Sequence, residues 1–122
     1  MSVNSYVNFD QRPRGKTRDP DLLRELHLEW KECALCGAVF PLSLHHINKH
    51  PRDDERGNLV MLCGSGTTGC HSAIEAQDEE KISDLGRYIL AARGDTIAYL
   101  YERLGAIAAQ DFLHRVLLID SA

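Results

Sequence analysis

Four cysteines constrain this chain more than any other feature. Cys33 and Cys36 stand as Cys-Ala-Leu-Cys with Gly37 behind them, and Cys63 and Cys70 follow further along. A chain of 122 residues buries only a modest core, so a metal staple adds stability that packing alone supplies poorly. Two intervening residues let both thiolates of the first pair face one ion, and the glycine permits the tight turn. Four thiolates complete a tetrahedral zinc shell and leave no open position, so the expected site is structural. The second pair departs from that compact spacing. Six residues, Gly64-Ser65-Gly66-Thr67-Thr68-Gly69, separate Cys63 from Cys70 and must loop out to bring both sulfurs to one ion. The competing arrangement leaves Cys63 as a buried thiol, with His71 or another residue completing the shell. Disulfides would need an oxidising compartment. No apolar leader segment or membrane-length apolar run is present, so the expectation is a cytoplasmic protein with metal-bound cysteines and no membrane partner.

The length fits one domain with extensions. Residues 1–18 lack an apolar period, and Arg12, Arg14, Lys16 and Arg18 alternate with Pro13 and Gly15. This stretch is either a flexible basic arm that touches phosphates or a solvated tail. Residues 19–78 form the expected core. Asp19-Pro20 reads as an N-cap and first helical position. Leu22, Leu23, Leu26 and Trp30 then predict a helix that runs to Trp30, with His27 on its surface. Val39-Phe40 and Leu42-Ser43-Leu44-His45-His46 predict a strand, residues 48–57 a polar loop, and Leu59-Val60-Met61-Leu62 a second strand. A glycine-rich turn follows, then a helix from His71.

Residues 79–122 read as a helical extension. Ile82, Leu85, Ile89 and Ala92 form one stripe, weakened by Gly86. Gly94-Asp95 breaks it, with Asp95 free to cap the next helix. Ile97, Leu100, Tyr101, Leu104, Ile107 and Ala108 form another stripe. Phe112, Leu113, Val116, Leu117 and Leu118 are apolar enough to need a cover. Packing on the core supplies one, and a homodimer through the C-terminal helices supplies the other. The net charge of −4 argues against a nucleic-acid partner only weakly, because placement matters more than the sum.

A second constellation comprises His45, His46, Asn58 and His71. Phosphodiester hydrolysis needs an activated water, neutralisation of the phosphate charge and help for the leaving oxygen. A neutral imidazole can accept the proton from water. A divalent cation on a few protein ligands can polarise the phosphate. The plainer alternative makes the adjacent histidines extra zinc ligands or a strand cap. His50 is a rival base, and His114 reads as structural.

The ordered set Leu44-His45-His46-Ile47, Asn58-Leu-Val-Met-Leu-Cys63 and Cys70-His71 resembles the His-Asn-His (HNH) nucleases, the ββα-metal endonucleases. Cys33-x-x-Cys36 resembles their zinc-stapled, four-cysteine branch, and the glycine-rich loop is similar to phage-associated members. The resemblance runs from Cys33 to Glu75. It implies an α+β fold: a small ββα-metal core with a structural zinc site, a leading helix and C-terminal helices. It implies that His46 is the general base and that Asn58 ties the loop and holds the base. His45 and His71 would ligate a catalytic Mg2+ or Mn2+. Many members carry a further histidine where this chain has Glu75, and a carboxylate suits a hard cation. The structural Zn2+ would sit on Cys33, Cys36, Cys63 and Cys70. The implied activity is hydrolysis of DNA to 5′-phosphate and 3′-hydroxyl ends. Arg52 and Arg56 are further candidates for phosphate contact, although Asp53, Asp54 and Glu55 dilute their charge. The alternative is a non-catalytic zinc module that binds nucleic acid or protein. One geometric condition attaches: neighbours in a strand face opposite sides, so His45 and His46 share a site only if the strand ends or bends there.

Overall fold

The computed structural model describes residues 18–48 and 53–119. The basic-arm residues Arg12, Arg14 and Lys16, together with His50 and Arg52, lie outside the described residues. The fold is a small α+β unit with a two-stranded antiparallel sheet and five α-helices among the described residues. No helix among them is long and apolar enough to cross a membrane.

Helix α1 (Pro20–Glu29) starts as the sequence dictates, with Pro20 first and the Asp19 carboxylate accepting the Leu22 N–H at 3.1 Å. Trp30 closes it as the C-cap. The Trp30 ring lies under two guanidinium groups, Arg93 at 4.9 Å and Arg56 at 5.4 Å from its centre. Strand β1 (Leu42–His46) pairs with β2 (Leu59–Cys63), with Leu44 opposite Met61 and His46 opposite Leu59. Val39 and Phe40, expected in the first strand, stay outside it and are exposed. Pro41 has no N–H for the ladder, so pairing begins after it. Every residue from Leu59 to Leu62 is buried. Val60 and Leu62 enter the main core, and the alternate Leu59 and Met61 are covered on the other face.

Helix α2 (Gly69–Glu75) follows the turn, and α3 (Glu79–Ala92) begins where the Asp78 carboxylate accepts the Glu80 and Lys81 N–H groups. Gly86 is required rather than merely tolerated in α3. A Cβ there would lie 2.5 Å from the Leu117 carbonyl oxygen, so the C-terminal segment packs against bare backbone. Two expectations for the extension need correction. The stripe Ile97 to Ala108 is not one helix: α4 (Gly94–Leu104) turns at Gly105, and α5 (Ala106–Arg115) leaves Ile107 87% exposed. Asp95 does not cap α4 but lies in its first turn, held by Arg93 at 2.7 and 3.0 Å. Arg93 also donates to the Leu59 and Arg56 carbonyls, which fastens α4 to the start of β2.

The core joins sheet and extension. Leu85, Ile89, Leu100, Phe112, Leu117 and Ile119 pack in one cluster with Cys33, Val60, Leu62 and Ile74. Most of the C-terminal apolar surplus is thus covered within one chain; Leu90, Ile107 and Leu118 stay exposed.

Candidate metal centre

The four cysteines converge although they come from three different segments. Their Sγ atoms all lie within 4.8 Å of one another, and Cys36 Sγ is 3.6 Å from Cys63 Sγ. Disulfides have S–S distances of about 2.05 Å, and all four cysteines are free. Sulfurs about 2.3 Å from a common tetrahedral ion are about 3.8 Å apart, so the donor set fits a metal such as zinc. The long spacing is absorbed as the sequence requires. Gly64 and Gly69 adopt φ of 89° and 71°, and Ser65 bridges to Thr68 between them. Backbone N–H groups point at the sulfurs, from Leu35 to Cys33 and from Cys70 to Cys63, each at 3.4 Å. Burial pushes the Cys33 thiol up, but the surrounding backbone N–H groups outweigh it and bring the pKa down to about 7. Burial and the neighbouring sulfurs push Cys70 up to about 12. Metal uptake therefore displaces protons unevenly, Cys33 yielding first.

A second convergence joins β1 to α2. One ligand atom each from His45, His71 and Glu75 lies within 4.8 Å of the other two. Glu75 Oε2 is 3.1 Å from His45 Nδ1 and 3.4 Å from His71 Nε2, one helical turn away from His71. Ser43 sets the direction of the His71 ring. Its Oγ is 2.9 Å from the Gly64 carbonyl and 2.6 Å from His71 Nδ1. The hydroxyl has one proton, which the carbonyl can only accept. His71 Nδ1–H must then donate to Ser43, leaving the Nε2 lone pair toward Glu75, as a metal ligand requires. The His45 side chain is 2% exposed, whereas Glu75 is 41% exposed. A cleft of about 240 Å³ borders His45 and is lined by Ile47, Ile74, Leu85, Arg115 and Leu117 but by neither His71 nor Glu75. The cluster therefore opens toward solvent on the Glu75 side. Three ligands leave coordination positions free, unlike the four-thiolate set.

His46 is not part of that group. Strand β1 ends at His46, and the two adjacent histidines reach different carboxylates. His45 meets Glu75, and His46 Nε2 meets Asp54 Oδ1 at 2.7 Å. Asn58 is fully buried and its side chain bonds to both sides of the loop. Its Oδ1 accepts the Asn48 N–H at 2.9 Å, and its Nδ2 donates to Asn48 Oδ1 at 3.0 Å and to the Asp53 carbonyl at 2.8 Å. The Ile47 N–H donates to the Asn58 carbonyl at 2.8 Å, so one residue clamps both ends of the loop.

Sequence reasoning missed the support behind Asn58. Asp53 is fully buried and accepts from the Tyr99 hydroxyl at 3.0 Å and from Arg103. Arg103 also donates to Glu55 at 3.0 Å, and Asn48 Nδ2 donates to the Tyr99 hydroxyl at 3.1 Å. Burial and the Asp53 charge push the Tyr99 phenol far above its ordinary pKa, so it remains a donor. Helix α4 thus holds the loop that holds Asn58. Removing one member of a buried ion pair leaves the other charge uncompensated, which costs about 3–5 kcal/mol. Arg103→Ala is accordingly expected to lower unfolding stability by about that amount, read from the urea midpoint at unchanged slope.

Among the described residues, the predicted phosphate contacts Arg18 and Arg56 are both engaged within the chain. Arg56 makes a two-pronged ion pair with Glu29, and Arg18 lies 3.5 Å from Asp54. His27 is exposed, and His114 Nδ1 lies 3.3 Å from the Ile119 carbonyl.

No family model matches the chain. Comparisons with curated proteins and with solved structures likewise return no match.

Proposed function

We propose that this chain is a metal-dependent endonuclease of the His-Asn-His, ββα-metal type, stapled by zinc on its four cysteines. The observation that carries the reading is the convergence of His45, His71 and Glu75 on one point, with His46 at the adjoining strand end. Strand β1 supplies the two histidines and helix α2 supplies His71 and Glu75, with β2 between them in the chain, the element order that the resemblance implies.

In this reading His45, His71 and Glu75 hold Mg2+ or Mn2+, which supplies charge neutralisation at the phosphate and at the leaving 3′ oxygen. The Glu75 carboxylate is the ligand that suits such a hard ion, and substrate and water oxygens would fill the free positions. His46 accepts the proton of the attacking water, with Asn58 fixing the loop beside it. The substrate is DNA, and the products carry 5′-phosphate and 3′-hydroxyl ends. Phosphate contacts fall to Arg12, Arg14, Lys16, Arg18, Arg52 and Arg56, of which Arg18 and Arg56 would exchange Asp54 and Glu29 for phosphate. A homodimer through the C-terminal helices would set two sites on two strands, and its contacts would involve the exposed Leu90, Ile107 and Leu118.

The rival reading, a zinc module that binds without chemistry, draws on the net charge of −4 and on the paired state of Arg18 and Arg56. End analysis separates the two. Labelled duplex DNA incubated with Mg2+ or Mn2+ should yield nicks that DNA ligase reseals directly, and a chelator should abolish them. Glu75→Ala should raise the Mn2+ concentration for half-maximal cleavage at least about tenfold. An unchanged requirement would remove Glu75 from the ligand set.

A further inference from the structure

We infer that Asp54 is the positioning residue for His46, and that it couples the start of α1 to the reactive end of β1. Its catalytic meaning rests on the nuclease reading; the contact itself does not. The Asp54 side chain is completely buried. Its Oδ1 lies 2.7 Å from His46 Nε2, and its Oδ2 accepts the Asp19 N–H at 2.9 Å. Arg18 approaches Oδ1 at 3.5 Å.

An ionised carboxylate only accepts hydrogen bonds, so His46 Nε2 must carry the proton in this contact. Burial raises the Asp54 carboxyl pKa, but the bonds from His46 and Asp19 and the Arg18 charge outweigh it and hold the group below its ordinary value. A neutral His46 then has its lone pair on Nδ1, which has no hydrogen-bond partner among the described residues. That is the tautomer in which a histidine can accept a proton from water. An unrestrained imidazole would divide itself between two tautomers and several orientations.

A carboxylate is suited to this position because it must accept twice, from His46 and from the Asp19 backbone. An asparagine offers one acceptor oxygen and would set its NH2 group against one of the two donors. The adjacent carboxylates therefore have separate tasks. Asp53 fastens the loop to α4, and Asp54 fastens the base to the entry of α1.

The test is the side-chain 15N spectrum of His46 in zinc-loaded protein, for wild type, Asp54→Ala and Asp54→Asn, with Mn2+-dependent nicking measured alongside. Wild type should show a single Nε2–H tautomer. Asp54→Ala should show a tautomer mixture, and Asp54→Asn should lie between. In the nicking assay Asp54→Ala should lower kcat about 100-fold with KM within about twofold, and Asp54→Asn should recover part of the loss. If Asp54→Ala does not fold, the Asp54→Asn spectrum alone decides. A variant with the wild-type His46 spectrum and wild-type kcat would overturn the inference. The spectrum reports Asp54's hold on His46 whether or not the chain cuts DNA, so failure of the nuclease reading is recognisable separately.

Discussion

Stripping zinc from this protein should unfold it rather than loosen one loop. Cys33 and Cys70 are members of the main core, packed with Val60, Leu62, Ile74 and Leu85. Cys36 and Cys63 hold the knuckle and the end of β2 to the same point. Structural zinc sites contribute about 10–16 kcal/mol of apparent binding free energy near neutral pH. Whole domains are stable by only about 5–15 kcal/mol, so the metal-free chain lacks a margin. A chelator of picomolar zinc affinity should abolish the cooperative thermal transition seen by circular dichroism, and added Zn2+ should restore it. Cys33→Ser should behave as the chelated protein does. The sign with pH follows from the thiols. Protons compete with metal for the sulfurs, so zinc is held more weakly as pH falls, and Cys70, pushed up to about 12, is the last to give up its proton. A chelated chain that melts unchanged would show that the four cysteines do not staple the fold.

His46→Ala should separate binding from chemistry. His46 stands outside the His45, His71 and Glu75 group, so its removal should leave Mn2+ affinity within about twofold. General-base catalysis by one positioned side chain is worth about 10²–10⁴ in rate, and kcat should fall by that factor. The fold should survive, because Asp54 keeps the Asp19 N–H and Arg18 when the imidazole is gone. His71→Ala should behave oppositely, losing Mn2+ binding along with cleavage. Isothermal titration with Mn2+ beside steady-state cleavage distinguishes the two patterns, and equal losses of Mn2+ affinity in both variants would contradict the assignment.

Much of this arrangement was legible because its signals are local. Cys-x-x-Cys-Gly, the Asp19-Pro20 helix start and the continuous apolar run Leu59 to Leu62 each specify their geometry within a few residues. The stretched Cys63-to-Cys70 spacing was readable too, since its glycines advertise the φ values that the loop adopts. What escaped depends on distant partners. Asp53 and Asp54 looked like charges diluting Arg52 and Arg56, yet they contact Tyr99, Arg103, Asp19 and His46. Arg103 sits in a helix otherwise read by its apolar stripe; only its shared face with Tyr99, four residues earlier, hinted at a common partner. Gly86 looked like a flaw in a helix because the Leu117 carbonyl that needs its space is far away in sequence. The break at Gly105 was lost in a period that continued past it by chance, and Ile107 marks the error by facing solvent.

The most direct test of the central claim is the nicking of supercoiled plasmid by zinc-loaded protein as Mn2+ is added, with His46→Ala run in parallel. The account predicts no nicking without added Mn2+, a saturable rise with it for wild type, and a rate about 10²–10⁴ lower for His46→Ala at every concentration. Nicking that ignores Mn2+, or that is equal in the two proteins, would contradict it.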